Sequence, residues 1–215
     1  EFDFNTATHL LTQQFQTRDL IGFGCQDLPL AIQATGCLLN YVKDTQRVQL
    51  QHVQPICIER REESIILDAT TRRNLELTLN LHGEKNNTLM SILDKTATPM
   101  GSRLLNRWLH RPLRKIASLE ARQIAIKQLL ATQSCTSLHM LLKQLGDLER
   151  IITRVGLKSA RPRDLSQLRF GLAILPDIHN KLDPYLNIQA DDKKLELLIS
   201  LSQQIKNFPQ LFCLL

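Results

Sequence analysis

Histidine, cysteine and paired carboxylates are the side chains that could build a catalytic or metal centre here, and their spacing argues against one. The six histidines, His9, His52, His82, His110, His139 and His179, never stand four residues apart with a glutamate between them, so a helix-borne zinc site has no basis. His52, His82 and His179 read as loop residues, whereas His110 falls at a helix C-terminus, where an imidazolium suits the dipole. Cys25, Cys37, Cys57, Cys135 and Cys213 are odd in number, scattered and without a C-x-x-C pair, and read as free buried thiols. Glu62-Glu63 and Asp191-Asp192 are adjacent, so each pair diverges on a strand or is solvated in a loop. Asp147 and Glu149 share a charged helix face with Arg150 and Arg154 and read as ion-pairing groups. Phosphate chemistry lacks its loop as well: there is no G-x-x-x-x-G-K-S/T, and Gly22-Phe23-Gly24 is half a dinucleotide fingerprint without a third glycine or a preceding strand.

Arginine is the residue type left to consider. Residues 61–169 carry 19 Lys and Arg against 10 Asp and Glu, so the basic excess of this chain, +6 in all, lies in its middle. Arg72, Arg73, Arg103, Arg107, Arg111 and Arg114 admit two readings: a ridge of planar forks that grips phosphates, or stems and guanidiniums that tie packed helices together through carboxylates and helix C-termini. Arg103 and Arg107 stand one turn apart beside Trp108, and these three are the candidate residues for locking a helix in place.

The elements that would position them are mostly helical. Asn5 can cap a helix over 6–16 with Ala7, Leu10, Leu11 and Phe15 on one face, which leaves Thr8, His9, Thr12 and Gln13 outward as a candidate partner surface. A second helix is expected over 27–43, presenting Leu30, Ala31, Ala34, Cys37, Leu38 and Tyr41. Between Gln49 and Ala69, Val53, Ile56, Ile58 and Ile65 to Leu67 around a charged turn predict one or two short strands. Helices then follow at 69–78 capped by Asp68, at 88–94, at 98–111 with Thr98 as cap and Pro99 in the first turn, and at 119–132 capped by Ser118. Leu148, Ile151, Ile152 and Val155 make one further face; Leu165, Leu168 and Leu172 make another, ended or kinked at Pro176, and Leu195, Leu198, Ile199 and Ile205 the last. With aromatics at 5%, such helices must pack through aliphatic side chains. No apolar run approaches the roughly 18–20 residues that spanning a bilayer needs.

Four words carry a resemblance to a known family: LDATTRRNLELT at 67–78, NTLMSILDKTATPMGSRLLNRWLHRPL at 87–113, GDLERIITR at 146–154 and ARPRDLSQLR at 160–169. Together with FQTRDLIGFG at 15–24 and AIQATGCLLNYVKDTQR at 31–47, the chain resembles the MutS family of DNA mismatch-repair proteins, in its bacterial form, over nearly its whole length. The resemblance implies a mainly α fold, in which residues 1–63 are the end of a ribonuclease-H-like α/β connector domain and residues 64–215 the first part of a long-helix core, or lever, domain. Both ends read as cut, so the chain is expected to be an excised piece of a cytoplasmic, nucleoid-associated protein. The mismatch-reading, clamp and ATPase domains lie elsewhere in such a parent. By the same resemblance the parent is a homodimer that binds mismatched duplex DNA, MutL, and ATP with magnesium. The fragment itself is expected to hold no cofactor or metal and to catalyse nothing, but to relay conformational change between clamps and ATPase and to help dock MutL. A stand-alone basic helical DNA-binding module is the alternative. The 98–111 helix is expected to be central and buried through Met100, Leu104 and Trp108, and the region after Pro184 to be the least ordered, with Phe212, Leu214 and Leu215 poorly covered.

Overall fold

The structure is a computed structural model that describes residues 2–46, 50, 52–59, 64–131, 134–186 and 196–215. It is mainly α and divides into two compact units, one of Glu1–Arg60 with Ile152–Ala160, the other of Arg61–Ile151 with Arg161–Leu215.

In the first unit, α1 (Phe4–Phe15) and α2 (Pro29–Gln46) pack together, joined through a short turn at Ile21–Phe23. Asp3 rather than Asn5 caps α1, its carboxylate accepting the Thr6 N–H at 2.7 Å, since a charged oxygen also complements the positive helix start. Ala7 and Leu11 of α1 meet Ile32 and Leu39 of α2 in a core that also holds Leu20, Cys25 and Leu50, with Phe15, Phe23 and Leu157 packed around it. The face of α2 is not the one expected from sequence: Leu30, Leu38 and Tyr41 are 80, 62 and 66% exposed, while Ile32, Gly36 and Leu39 are buried. Gly36 decides this, because a Cβ there would lie 2.4 Å from that of Ala7, so the two helices approach more closely than any larger residue allows. The strands expected between Gln49 and Ala69 are not formed among the described residues. Residues 53–59 have no regular secondary structure after a turn at His52, and in the second unit Ser64 makes one isolated antiparallel bridge to Leu113.

In the second unit, α3 (Ala69–Asn74) is capped by Asp68 as expected but stops four residues early, where Glu76 turns left-handed at φ 46°. Then come α4 (Leu89–Leu93), α5 (Pro99–His110), α6 (Ile116–Ala131), α7 (Ser134–Gln144), α8 (Leu148–Gly156), of which the residues from Ile152 on belong to the first unit, α9 (Pro162–Leu186), α10 (Glu196–Gln204) and α11 (Pro209–Leu214). α6 starts before Ser118 because the Lys115 carbonyl accepts its first helical bonds. α9 is the hub against which α7, α10 and α11 pack, with Ile178 against Leu138 and Leu145, and Leu182 beside Leu198 and Ala125. Its 25 residues pass through Pro176, which does not end the helix; a proline there lacks the N–H for one backbone bond, and the helix is packed on both α7 and α10. His179 therefore sits in a helix, not a loop. Of α8's expected face, Ile151 is buried and Ile152 and Val155 are exposed. The cysteines are free, but only Cys25 is buried, and Cys57 and Cys213 are exposed.

Glu62-Glu63, Asp191-Asp192 and Leu195 lie outside the described residues, as do 187–195 in general. Beyond them α10 and α11 are formed; Leu214 is exposed, whereas Phe212 is half-buried with the Arg169 guanidinium 5.0 Å from its ring centre.

Candidate functional site

The arginine-bearing helix α5 is built from a turn that its own side chains close. Thr98 Oγ1 accepts the Gly101 N–H at 3.0 Å, and Pro99 costs nothing at a position whose N–H would lack a helical acceptor. Upstream, the Asp94 carboxylate accepts from the Thr96 N–H at 3.1 Å, the Thr96 hydroxyl at 2.6 Å and the Ser102 hydroxyl at 2.6 Å, which folds residues 94–98 back over the first turn of α5. Gly101 leaves room for this: a Cβ there would come within 3.2 Å of Thr96 Cβ and Thr98 Oγ1. The Ser102 and Thr96 bonds favour ionised Asp94 and hold its carboxyl below the usual carboxylate range.

One residue beyond Ser102, Arg103 leaves the helix toward the segment just before α8. Its Nη1 donates to Asp147 Oδ2 at 2.8 Å and its Nη2 to Asp147 Oδ1 at 2.7 Å, a fork-to-fork pair, while Nη2 also reaches Glu149 Oε2 at 2.5 Å. Arg150 adds a longer contact to the same carboxylate, with Nε at 3.4 Å from Asp147 Oδ2. Hydrogen bonding from Arg103 holds the Asp147 carboxyl below its ordinary value against the desolvation that would raise it, and the same bonds push the guanidinium of Arg103 up. The Asp147 side chain is mostly covered, that of Arg103 about a third exposed.

A second charged contact lies one turn further on. The guanidinium carbon of Arg122, from α6, stands 3.8 Å from the centre of the Trp108 ring. Trp108 remains 41% exposed, Leu104 is exposed as well, and α5 has no fully buried residue, so the expectation of a buried central helix is corrected. Its amphipathic stripe lies on the surface of the unit, and directed polar contacts hold it where core burial does not. Arg107 is exposed and takes no part in the Asp147 clamp. Arg72 and Arg73 are exposed on α3, Arg111 forms the C-cap of α5, and Arg114 is exposed after it. His110 Nε2 is 3.4 Å from Thr78 Oγ1, tying the end of α5 to the loop after α3.

The other candidate surface is on α1. Thr8 Oγ1 donates to Phe4 O at 2.8 Å and Thr12 Oγ1 to Thr8 O at 2.9 Å, so both hydroxyls are turned back onto their own helix and both residues are half-buried. His9 and Gln13 are exposed. Sequence reasoning passed over Asp94 and Arg122: the first carries a legible signal in its spacing to Thr96 and Ser102, the second none, because its partner is on another helix. Thr96, Ser102, Asp94 and Asp147 donate to or accept from fixed partners, so the arrangement orients and holds elements.

The family model of MutS domain II matches residues 1–54, and that of MutS domain III matches residues 70–211. The chain belongs to the MutS family. The α5 turn, the Arg103 clamp and the Trp108–Arg122 stack all fall within the span matched by MutS domain III, and the α1 surface within that matched by MutS domain II. Among the described residues no helix is long and apolar enough to cross a membrane.

Proposed function

We propose that this chain is the connector and lever portion of a MutS mismatch-repair protein, with the connector remnant over residues 1–63 and the first part of the lever over 64–215. Its task is mechanical: it relays conformational change between DNA-binding clamps and an ATPase domain that are separate parts of the parent, and its connector surface, including His9 and Gln13, helps dock MutL. Mismatched duplex DNA and ATP with magnesium are bound by those other parts of a homodimeric, cytoplasmic parent, and this portion is not itself an enzyme.

What supports a relay is the Arg103 clamp. A helix that must pass on a displacement has to be held without being sunk in a core, and α5 is held in that way by a fork-to-fork ion pair to Asp147 and a ring contact to Arg122. The test is Arg103→Ala in the parent chain, read as mismatch-provoked nucleotide exchange. Exchange is expected to lose its dependence on the mismatch while DNA affinity and basal ATP hydrolysis persist; wild-type coupling in a folded variant rejects the lock. The basic excess of residues 61–169 favours the second reading, a duplex-binding module, which requires a steep loss of DNA affinity with salt in the isolated chain.

A further inference from the structure

The segment between α3 and α4 has no regular structure, yet its own side chains fix it. Asn80, itself buried, accepts the His82 N–H at 3.0 Å and the Glu84 N–H at 2.9 Å on Oδ1 and donates from Nδ2 to Asn86 Oδ1 at 2.9 Å. Glu76 Oε1 accepts the Leu81 N–H at 2.8 Å. Ordering a loop costs conformational entropy, and this one is ordered with Leu79 and Leu81 turned largely outward, 48 and 58% exposed. The loop forms one wall of an open groove of about 420 Å³, and Ala69, Arg72 and Arg73 of α3 form the other.

We propose that this groove docks an acidic polypeptide segment that carries aliphatic side chains. Its walls offer two guanidiniums and two leucines together, and no carboxylate is among the residues lining it, the nearby Glu76 being turned to the Leu81 amide. A nucleic-acid backbone would satisfy the arginines but would leave the leucines against phosphate and sugar, with no apolar group to cover them. Carboxylates spaced with leucine or isoleucine meet both demands, and a preformed groove spares the ordering cost at binding. The site is independent of the relay reading: it stands if the Arg103 variant leaves coupling intact, and it can fail while the relay holds.

The probe is a short fluorescent peptide of alternating glutamate and leucine pairs, added to the 215-residue chain and followed by anisotropy and by hydrogen exchange. Controls are the same peptide with lysine for glutamate, the same with serine for leucine, and a duplex DNA oligomer. Protection of residues 69–83 by the first peptide is expected, with affinity at least about tenfold above the peptide controls and a similar loss in Arg72→Glu/Arg73→Glu and in Leu81→Ser. Circular dichroism of both variants establishes that they remain folded, and the two act on different walls, so either alone can decide. Equal binding of the lysine peptide, protection elsewhere in the chain, no binding of the acidic peptide, or protection of 69–83 by DNA in its place would each overturn the proposal.

Discussion

Arg103 and Arg107 stand one turn apart on the same helix and have the same chemistry, yet only the first meets the carboxylate of Asp147. Stability should follow that difference. Arg103→Ala is expected to lower the urea midpoint of the second unit, because it leaves Asp147, whose side chain is only 17% exposed, with the longer Arg150 contacts in place of a fork-to-fork pair, whereas Arg107→Ala should change stability by less than about 0.5 kcal/mol, as exposed substitutions do. Equal effects from the two would deny the clamp any role. Acid should act through the same groups. Asp147 and Asp94 both titrate below the ordinary 3.8 in the folded chain, held there by Arg103 and by Ser102 with Thr96, so the unfolded chain binds protons more readily than the folded one. Their contribution is complete above the unfolded value and is lost as pH falls below about 3.8 through the folded ones, so Asp147→Asn should flatten the acid limb of a stability profile and leave its neutral part level. The caps at Thr98 and Asp68 were legible because a cap and its N–H lie three residues apart, within one word of sequence. The partner of Arg103 lies 44 residues away and that of Trp108 on a different helix, and pairings at that range leave no periodic trace.

Elements were readable in kind and unreliable in facing. Helices at 4–15, 29–46 and 99–110 are where apolar spacing and Pro position them, since both are local signals. The buried side of α2 was not, because its sequence is apolar on two sides and the larger residues drew the assignment, whereas close approach to Ala7 selects the side that carries Gly36. α7 carries few apolar residues at helical spacing among its Ser, Thr and Gln, and residues 53–59 have strand-like side chains but no neighbour to pair with among those described. The facing of α2 has a direct test by thermal or urea unfolding. Leu39→Ala should cost about 2–4 kcal/mol as a core truncation, and Leu38→Ser should cost less than about 0.5 kcal/mol, although the two residues are adjacent and chemically identical. Gly36→Val should be at least as damaging as Leu39→Ala, since no rotamer can relieve a Cβ that meets backbone and Cβ atoms of Ala7. A larger loss from Leu38→Ser than from Leu39→Ala would reverse the assignment.

At the scale of the whole molecule, α6 has a property that neither its ion contacts nor its length explains. Its inner side sends Ala125 and Leu129 into the cluster with Leu198 and Leu182, while Ile116, Leu119, Ile126 and Leu130, which follow one another at helical spacing, are exposed on the other. A helix apolar on two sides has a second face that a neighbour would cover, and these exposed aliphatic residues, grouped at its two ends with Arg122 and Gln123 between them, are apolar surface that association removes from water. The lever reading supplies a physical reason, because a helix that transmits force between domains needs a second packing face to push against. In solution the 215-residue chain is therefore expected to self-associate with increasing concentration. Sedimentation velocity across a dilution series measures it, and Ile126→Lys with Leu130→Lys should shift the chain toward monomer without lowering its melting temperature by more than a few degrees, because both side chains are solvated in the monomer. A chain that stays monomeric at high concentration, or a double variant that unfolds, would mean that the outer face of α6 is ordinary surface in the one case and hidden core in the other.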